Sequence, residues 1–125
     1  MNGLLLVMAG GAVGAGMRHL VGRAALVTLG HGWPWGTLIV NIAGGCAMGV
    51  LAGTVARMSS GAEPWRLLIG VGVLGGFTTF SAFSLDAMLM IERGAWLQAL
   101  TYILLSVTGS IAALAAGLAF SRVTA

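Results

Sequence analysis

With 58% hydrophobic and only 7% charged residues, this chain of 125 cannot coat a water-soluble domain, which usually carries about 25% charge. Its net charge of +3 comes from six scattered arginines, so no basic run marks a nucleic-acid partner. The lone Cys46 excludes an intrachain disulfide, and His19 and His31 lie near one linker with no nucleophile–base–orienter set, which argues against an enzyme.

Four stretches are long enough to cross a bilayer, at roughly 3–22, 37–56, 67–91 and 95–120. About 20 apolar residues, each rising about 1.5 Å, span the hydrocarbon core. Backbone groups in lipid need internal partners, so the spans read as helices, and the alternation of barrel strands is absent. The whole chain, 1–125, is therefore expected to be one all-α membrane domain of four transmembrane helices. Trp33, Trp35, Trp65 and Trp96 fall at span ends, where amphipathic rings favour the interface.

The first span lacks a basic n-region and stays apolar to Met17, so it reads as a helix rather than a cleaved signal. Arg18 lies near its end, placed either to snorkel or to raise anion concentration at a mouth. In the second span Thr37 and Asn41 sit one turn apart, and Asn41 shares a row with Gly45, Gly49 and Gly53. A membrane asparagine serves equally as a helix–helix hydrogen bond or as a donor lining a pathway.

The third span interrupts itself with LGGFTTFSAFS, residues 74–84. Gly75 and Gly76 permit a break, and a break frees amides and carbonyls that only protein or water can satisfy. Freed carbonyls can hold a hard cation, and the amide end of the restarted helix favours an anion. Thr78, Thr79, Ser81 and Ser84 add hydroxyls. Phe80 and Phe83 lie three apart on one face, and ring edges turned to a pore would attract an anion weakly enough to release it. Asp86, late in this span, is either the carboxylate at depth that a cation pathway would need or an interfacial charge paired with an arginine. In the fourth span Gln98, Tyr102, Ser106 and Ser110 recur every fourth residue as a polar stripe.

Arginines divide three against three between the two faces: Arg57, Arg66 and Arg122 on one, Arg18, Arg23 and Arg93 on the other. Orientation follows an excess of positive charge on one side, so a chain without bias can insert both ways and pair with an inverted copy. Small residues four apart, at Gly10/Gly14, Gly45/Gly49, Gly49/Gly53 and Gly72/Gly76, indicate close helix packing within the chain or across a dimer.

The stretch GGFTTFSAF closely resembles the GGxTTFSTF signature of the CrcB/Fluc family of fluoride channels. The resemblance covers the whole chain. It includes a GTLxVN motif, seen as Gly36-Thr37-Leu38-Ile39-Val40-Asn41, and SxxGS, seen as Ser106 to Gly109-Ser110. Ala82 departs from it by replacing a threonine. The resemblance implies an antiparallel, dual-topology homodimer in the bacterial inner membrane, with a broken third helix and two pores that passively export fluoride from the cytoplasm. It implies Phe80 and Phe83 as an aromatic box and Asn41 as a donor to the ion. Ser106, Ser110 and Tyr102 would form a polar track, with Thr37 and Ser81 as further pore-side hydroxyls. Arg18 would sit at an aqueous vestibule. Backbone carbonyls of Gly75 and Thr78 from both copies would hold a structural sodium ion at the dimer centre. The competing reading is a small multidrug-resistance-type, proton-coupled cation exporter. That class relies on a glutamate in its first helix, and residues 3–17 contain no acid.

Overall fold

A computed structural model describes residues 2–124, and its regular elements are all helical. Helix α1 covers Gly3–Leu29 and α2 covers Trp35–Ala56. The third span, Ala62–Glu92, is assembled from α3 (Ala62–Trp65), a π-helical segment (Arg66–Leu74), α4 (Gly75–Phe77) and α5 (Phe80–Glu92). Helix α6 covers Trp96–Val123. Four helical stretches are thus long and apolar enough to cross a membrane.

The main departure from the expected boundaries is in α1. Its helix does not end at Gly22 but continues through Ala24-Ala25-Leu26-Val27-Thr28-Leu29. It stops at Gly30, whose φ of 81° turns the chain while its N–H donates to the Leu26 carbonyl at 3.1 Å. A left-handed glycine past the last helical residue is a common stop because it lacks a Cβ. Arg18 and Arg23 therefore lie inside α1 rather than in a linker.

Glycine decides how the spans pair. A Cβ on Gly10 would collide with the Leu68 carbonyl and approach the Gly72 Cα to 2.9 Å. One on Gly14 would strike the Val73 carbonyl, and one on Gly76 would lie 2.6 Å from the Gly11 carbonyl. So α1 lies backbone to backbone against the first half of the third span. The same holds for α2 and α6, where a Cβ on Gly45 would lie 2.9 Å from the Ser110 carbonyl and one on Gly49 would collide with the Leu114 carbonyl. Gly53 meets Ser121, and Gly117 of α6 returns the contact onto Cys46. All four small-residue pairs are used within the chain.

The remaining core is a cluster of Leu38, Phe83, Ala87, Met90, Ala99 and Tyr102, where α5 and α6 meet the start of α2. Between 11% and 28% of each span is buried in the single chain, so most of every helix presents its apolar side chains outward.

Gly75 and Gly76 are helical, and Gly75 donates its N–H to the Gly70 carbonyl, five residues back. The two extended residues of the span come later. Thr78 has φ −87°, ψ 160°, and Thr79 has φ −153°, ψ 121°. Gly76 thus serves close packing, and the threonines carry the change of direction.

Candidate functional site

Two extended residues in the middle of an apolar helix free backbone groups that lipid cannot satisfy. Side chains from three elements meet that need. Thr78 turns back on the preceding turn, with its N–H and its Oγ1 both donating to the Leu74 carbonyl, at 3.0 and 2.9 Å. Asn41 of α2 bonds Thr79 twice: its Nδ2 donates to the Thr79 carbonyl at 3.0 Å, and its Oδ1 accepts from the Thr79 N–H at 2.8 Å. Thr79 also caps α5, its Oγ1 accepting from the Ala82 N–H at 3.1 Å. Finally, Arg18 of α1 donates from Nε to the Gly76 carbonyl at 3.0 Å. That places a cation at the carbonyl end of a half-helix, where the macrodipole is negative. The carbonyls of Gly75 and Thr78 receive none of these side-chain donors.

Two clefts flank this junction. The first, of about 370 Å³, is lined by Asn41, Thr78, Thr79, Phe80, Phe83, Ser106 and Ser110, with Met48, Val107, Ile111 and Leu114 on its apolar side. The second, of about 310 Å³, is lined by Arg18, His19, Arg23, Thr37, Thr79 and Ala82. The first is largely apolar with a few hydroxyls and one amide, while the second carries two arginines.

Phe80 and Phe83 have ring centroids 5.5 Å apart at an interplanar angle of 48°. Their environments differ sharply: Phe83 is 8% exposed, whereas Phe80 is 77% exposed. Phe83 also packs against Tyr102, with ring centroids 5.3 Å apart and the planes tilted by 46°. Tyr102 is fully buried, with Thr37 and Ser106 close to its phenol. Ser106 follows one turn later at 5% exposure, and its Oγ is buried with no hydrogen-bond partner among the described residues. Ser110 is half-buried on the same cleft. Of the expected stripe, Ser106 and Ser110 line the cleft, whereas Gln98 is exposed away from it and Tyr102 is buried behind it. Ser81 is exposed and lines neither cleft, with its Oγ 3.4 Å from Thr79 Oγ1.

Asp86 corrects an expectation. Its partner is not an arginine: Oδ2 accepts from the Tyr102 hydroxyl at 3.0 Å. The ion pair among the described residues is Arg66–Glu63, exposed at the start of the third span, with 2.6 Å between Nη2 and Oε1. Sequence reasoning missed the fastening of Arg18 to Gly76, and for Asn41 it offered a helix–helix hydrogen bond without its partner, Thr79. The first was obscured by ending α1 too early. A stop at Gly30 would have shown Arg18 to be eleven residues from the helix end, too deep for a headgroup role alone.

The chain matches the family described as "CrcB-like protein, Camphor Resistance (CrcB)" over residues 5–118. It belongs to the CrcB family. Its similarity to curated relatives runs nearly end to end. One from Sphingopyxis alaskensis is 55% identical over 122 residues, covering 98% of this chain and 97% of the relative. One from Phenylobacterium zucineum is 59% identical over 123 residues, with the same coverage. Another, from Caulobacter vibrioides, is 56% identical over 123 residues, again covering 98% and 97%. Each of these CrcB relatives bears the name "Fluoride-specific ion channel FluC". With four apolar spans, this CrcB chain is a multi-pass bacterial membrane protein.

Proposed function

We propose that the chain is a fluoride-selective channel of the bacterial inner membrane that passively exports fluoride from the cytoplasm. The observation that carries the reading is a cleft in which Asn41, Ser106 and Ser110 stand beside the touching Phe80 and Phe83 rings. Fluoride is the smallest halide and the hardest to dehydrate. A pore must replace its water with several donors at once. Ser106 and Ser110 offer hydroxyls, and Asn41 retains one amide N–H beyond its bonds to Thr79. The aromatic rings offer positive edges. The buried Tyr102 and the Thr37 hydroxyl extend the polar path, and Ser81 supplies a hydroxyl at the junction. Arg18, partly buried beside the second cleft, draws anions to a vestibule.

A pore of this kind needs an inverted second copy. The exposed Phe80 ring supports that arrangement, because an antiparallel homodimer would cover it and complete two pores through a helix interrupted at mid-membrane. The same symmetry would bring the Gly75 and Thr78 carbonyls of both copies together as a sodium site at the dimer centre. Their fit to a hard cation rests on chemistry: both are carbonyl oxygens beside an interruption, outside the set that Arg18, Thr78 and Asn41 occupy. The proton-coupled cation exporter gains no support, since α1 (Gly3–Leu29) contains no aspartate or glutamate.

The test is efflux from liposomes holding the purified protein. Fluoride release is expected to exceed chloride release by at least about a hundredfold, a difference of roughly 2.8 kcal/mol. Parallel leakage of both halides would remove the reading. A second expected result concerns sodium: replacing it with a large organic cation lowers the melting temperature of the assembly. A ligand held at about 100 times its Kd contributes about 2.7 kcal/mol to the folded state. Indifference to sodium would reject the carbonyl site and leave the fluoride pathway standing.

A further inference from the structure

Thr79 is the one residue that lines both clefts. On one side lie the phenylalanines and Ser106, on the other the arginines of α1. What stands between the clefts is a short piece of extended backbone, and its polar groups are already engaged. The Thr79 N–H donates to Asn41 Oδ1 at 2.8 Å and the Thr79 carbonyl accepts from Asn41 Nδ2 at 3.0 Å. Its Oγ1 is turned to the Ala82 N–H at 3.1 Å. A two-point bond from a side-chain amide to a single peptide fixes orientation as well as distance, and neither helix half can swing without breaking it. The two groups lie 38 positions apart in sequence, so the fastening ties α2 to the middle of the third span.

We propose that the Asn41–Thr79 pair is the septum between the two clefts, with Asn41 a positioning residue that sets the width of the passage. An asparagine there serves selectivity through the backbone it holds. With the pair closed, the connection past Thr79 stays narrow. With it open, Thr79 is released from α2 and larger anions pass. This role is distinct from donating to the permeating ion, for which Asn41 retains a second amide N–H. The selectivity arm of the test rests on the fluoride-channel reading, and the other arm does not.

The first arm compares wild type with Asn41→Ala in liposomes, reading chloride and fluoride efflux separately. Loss of the two-point hydrogen bond is expected to raise the chloride-to-fluoride flux ratio at least about fivefold, whatever happens to fluoride flux itself. A fall in fluoride flux at an unchanged ratio would mean that Asn41 acts only as an ion ligand, and the septum is overturned. Failure of wild type to release fluoride would instead remove the channel reading. The second arm uses wild-type protein and needs no transport. Amide exchange in the assembled protein is expected to protect the Thr79 N–H at least about a hundredfold relative to an open amide. Exchange of Thr79 at the unprotected rate would overturn the pair as a closed septum, even where Asn41→Ala fails to fold.

Discussion

Gly49→Ala is expected to lower the melting temperature of the protein in detergent sharply, or to prevent recovery of folded material, while Gly16→Ala does neither. The added methyl at 49 would collide with the Leu114 carbonyl and lie 2.9 Å from the Leu118 amide nitrogen, all of it α6 backbone. A side chain in the way could change rotamer, but a helix backbone cannot. The helices must then part, and they share one seam, because Gly45 and Gly117 make the same kind of approach to backbone. Gly53 differs in meeting the Ser121 side chain, but separation at Gly49 loosens dispersion contacts at the neighbouring backbone approaches of Gly45 and Gly117. Inserting a methylene into a packed core costs about 1–3 kcal/mol when side chains can relax. With only backbone to yield, the upper end is expected, out of a total stability of about 5–15 kcal/mol. At Gly16 a Cβ meets nothing within 4 Å, so alanine changes only helix propensity, in its favour by about 1 kcal/mol. A Gly49→Ala protein melting with wild type would contradict the seam.

The sequence makes the four spans legible because lipid leaves a chain few options: a run of about 20 apolar residues must satisfy its own backbone, and a helix does so. Their ends were less legible. Arg18, His19 and Arg23 look like an end of the first span, yet a guanidinium can stay inside a helix when a carbonyl receives it, as Gly76 receives Arg18. The glycine pairs announced close packing without naming partners, since helix faces carry no label for what lies opposite. Coordinates resolve this by placing Gly10 and Gly14 on the third span and Gly45, Gly49 and Gly53 on α6. The double glycine at 75 and 76 invited the wrong assignment, because conformational freedom and absence of bulk favour the same residue. At Gly76 the second property is used, and Thr78 and Thr79 adopt extended angles that any residue tolerates. Their hydroxyls supply what the glycines lack, a side-chain partner for the frayed turn and a cap for the next helix. Asp86 was misjudged for a simpler reason: Tyr102 lies sixteen residues away in sequence, beyond any local pattern.

Phe80→Ile separates two roles that phenylalanine can play in such a site. In the single chain Phe80 is 77% exposed, so the fold itself draws little on its ring. Phe83, at 8% exposure, packs on Tyr102 and belongs to the cluster with Leu38, Ala87 and Met90. Isoleucine keeps apolar character at either position and removes the quadrupole, whose positive edge is the only part of a phenylalanine that attracts an anion. At Phe83 a loss of flux would be ambiguous, because the smaller side chain also leaves a cavity beneath Tyr102. At Phe80 the loss carries one meaning. Fluoride efflux per reconstituted protein is expected to fall at least about tenfold, equivalent to roughly 1.4 kcal/mol of barrier, with the size-exclusion profile unchanged. Efflux at the wild-type rate from Phe80→Ile would show that ring edges contribute nothing there. The hydroxyls of Ser106 and Ser110 would then have to replace the water of fluoride with no aromatic help at that position.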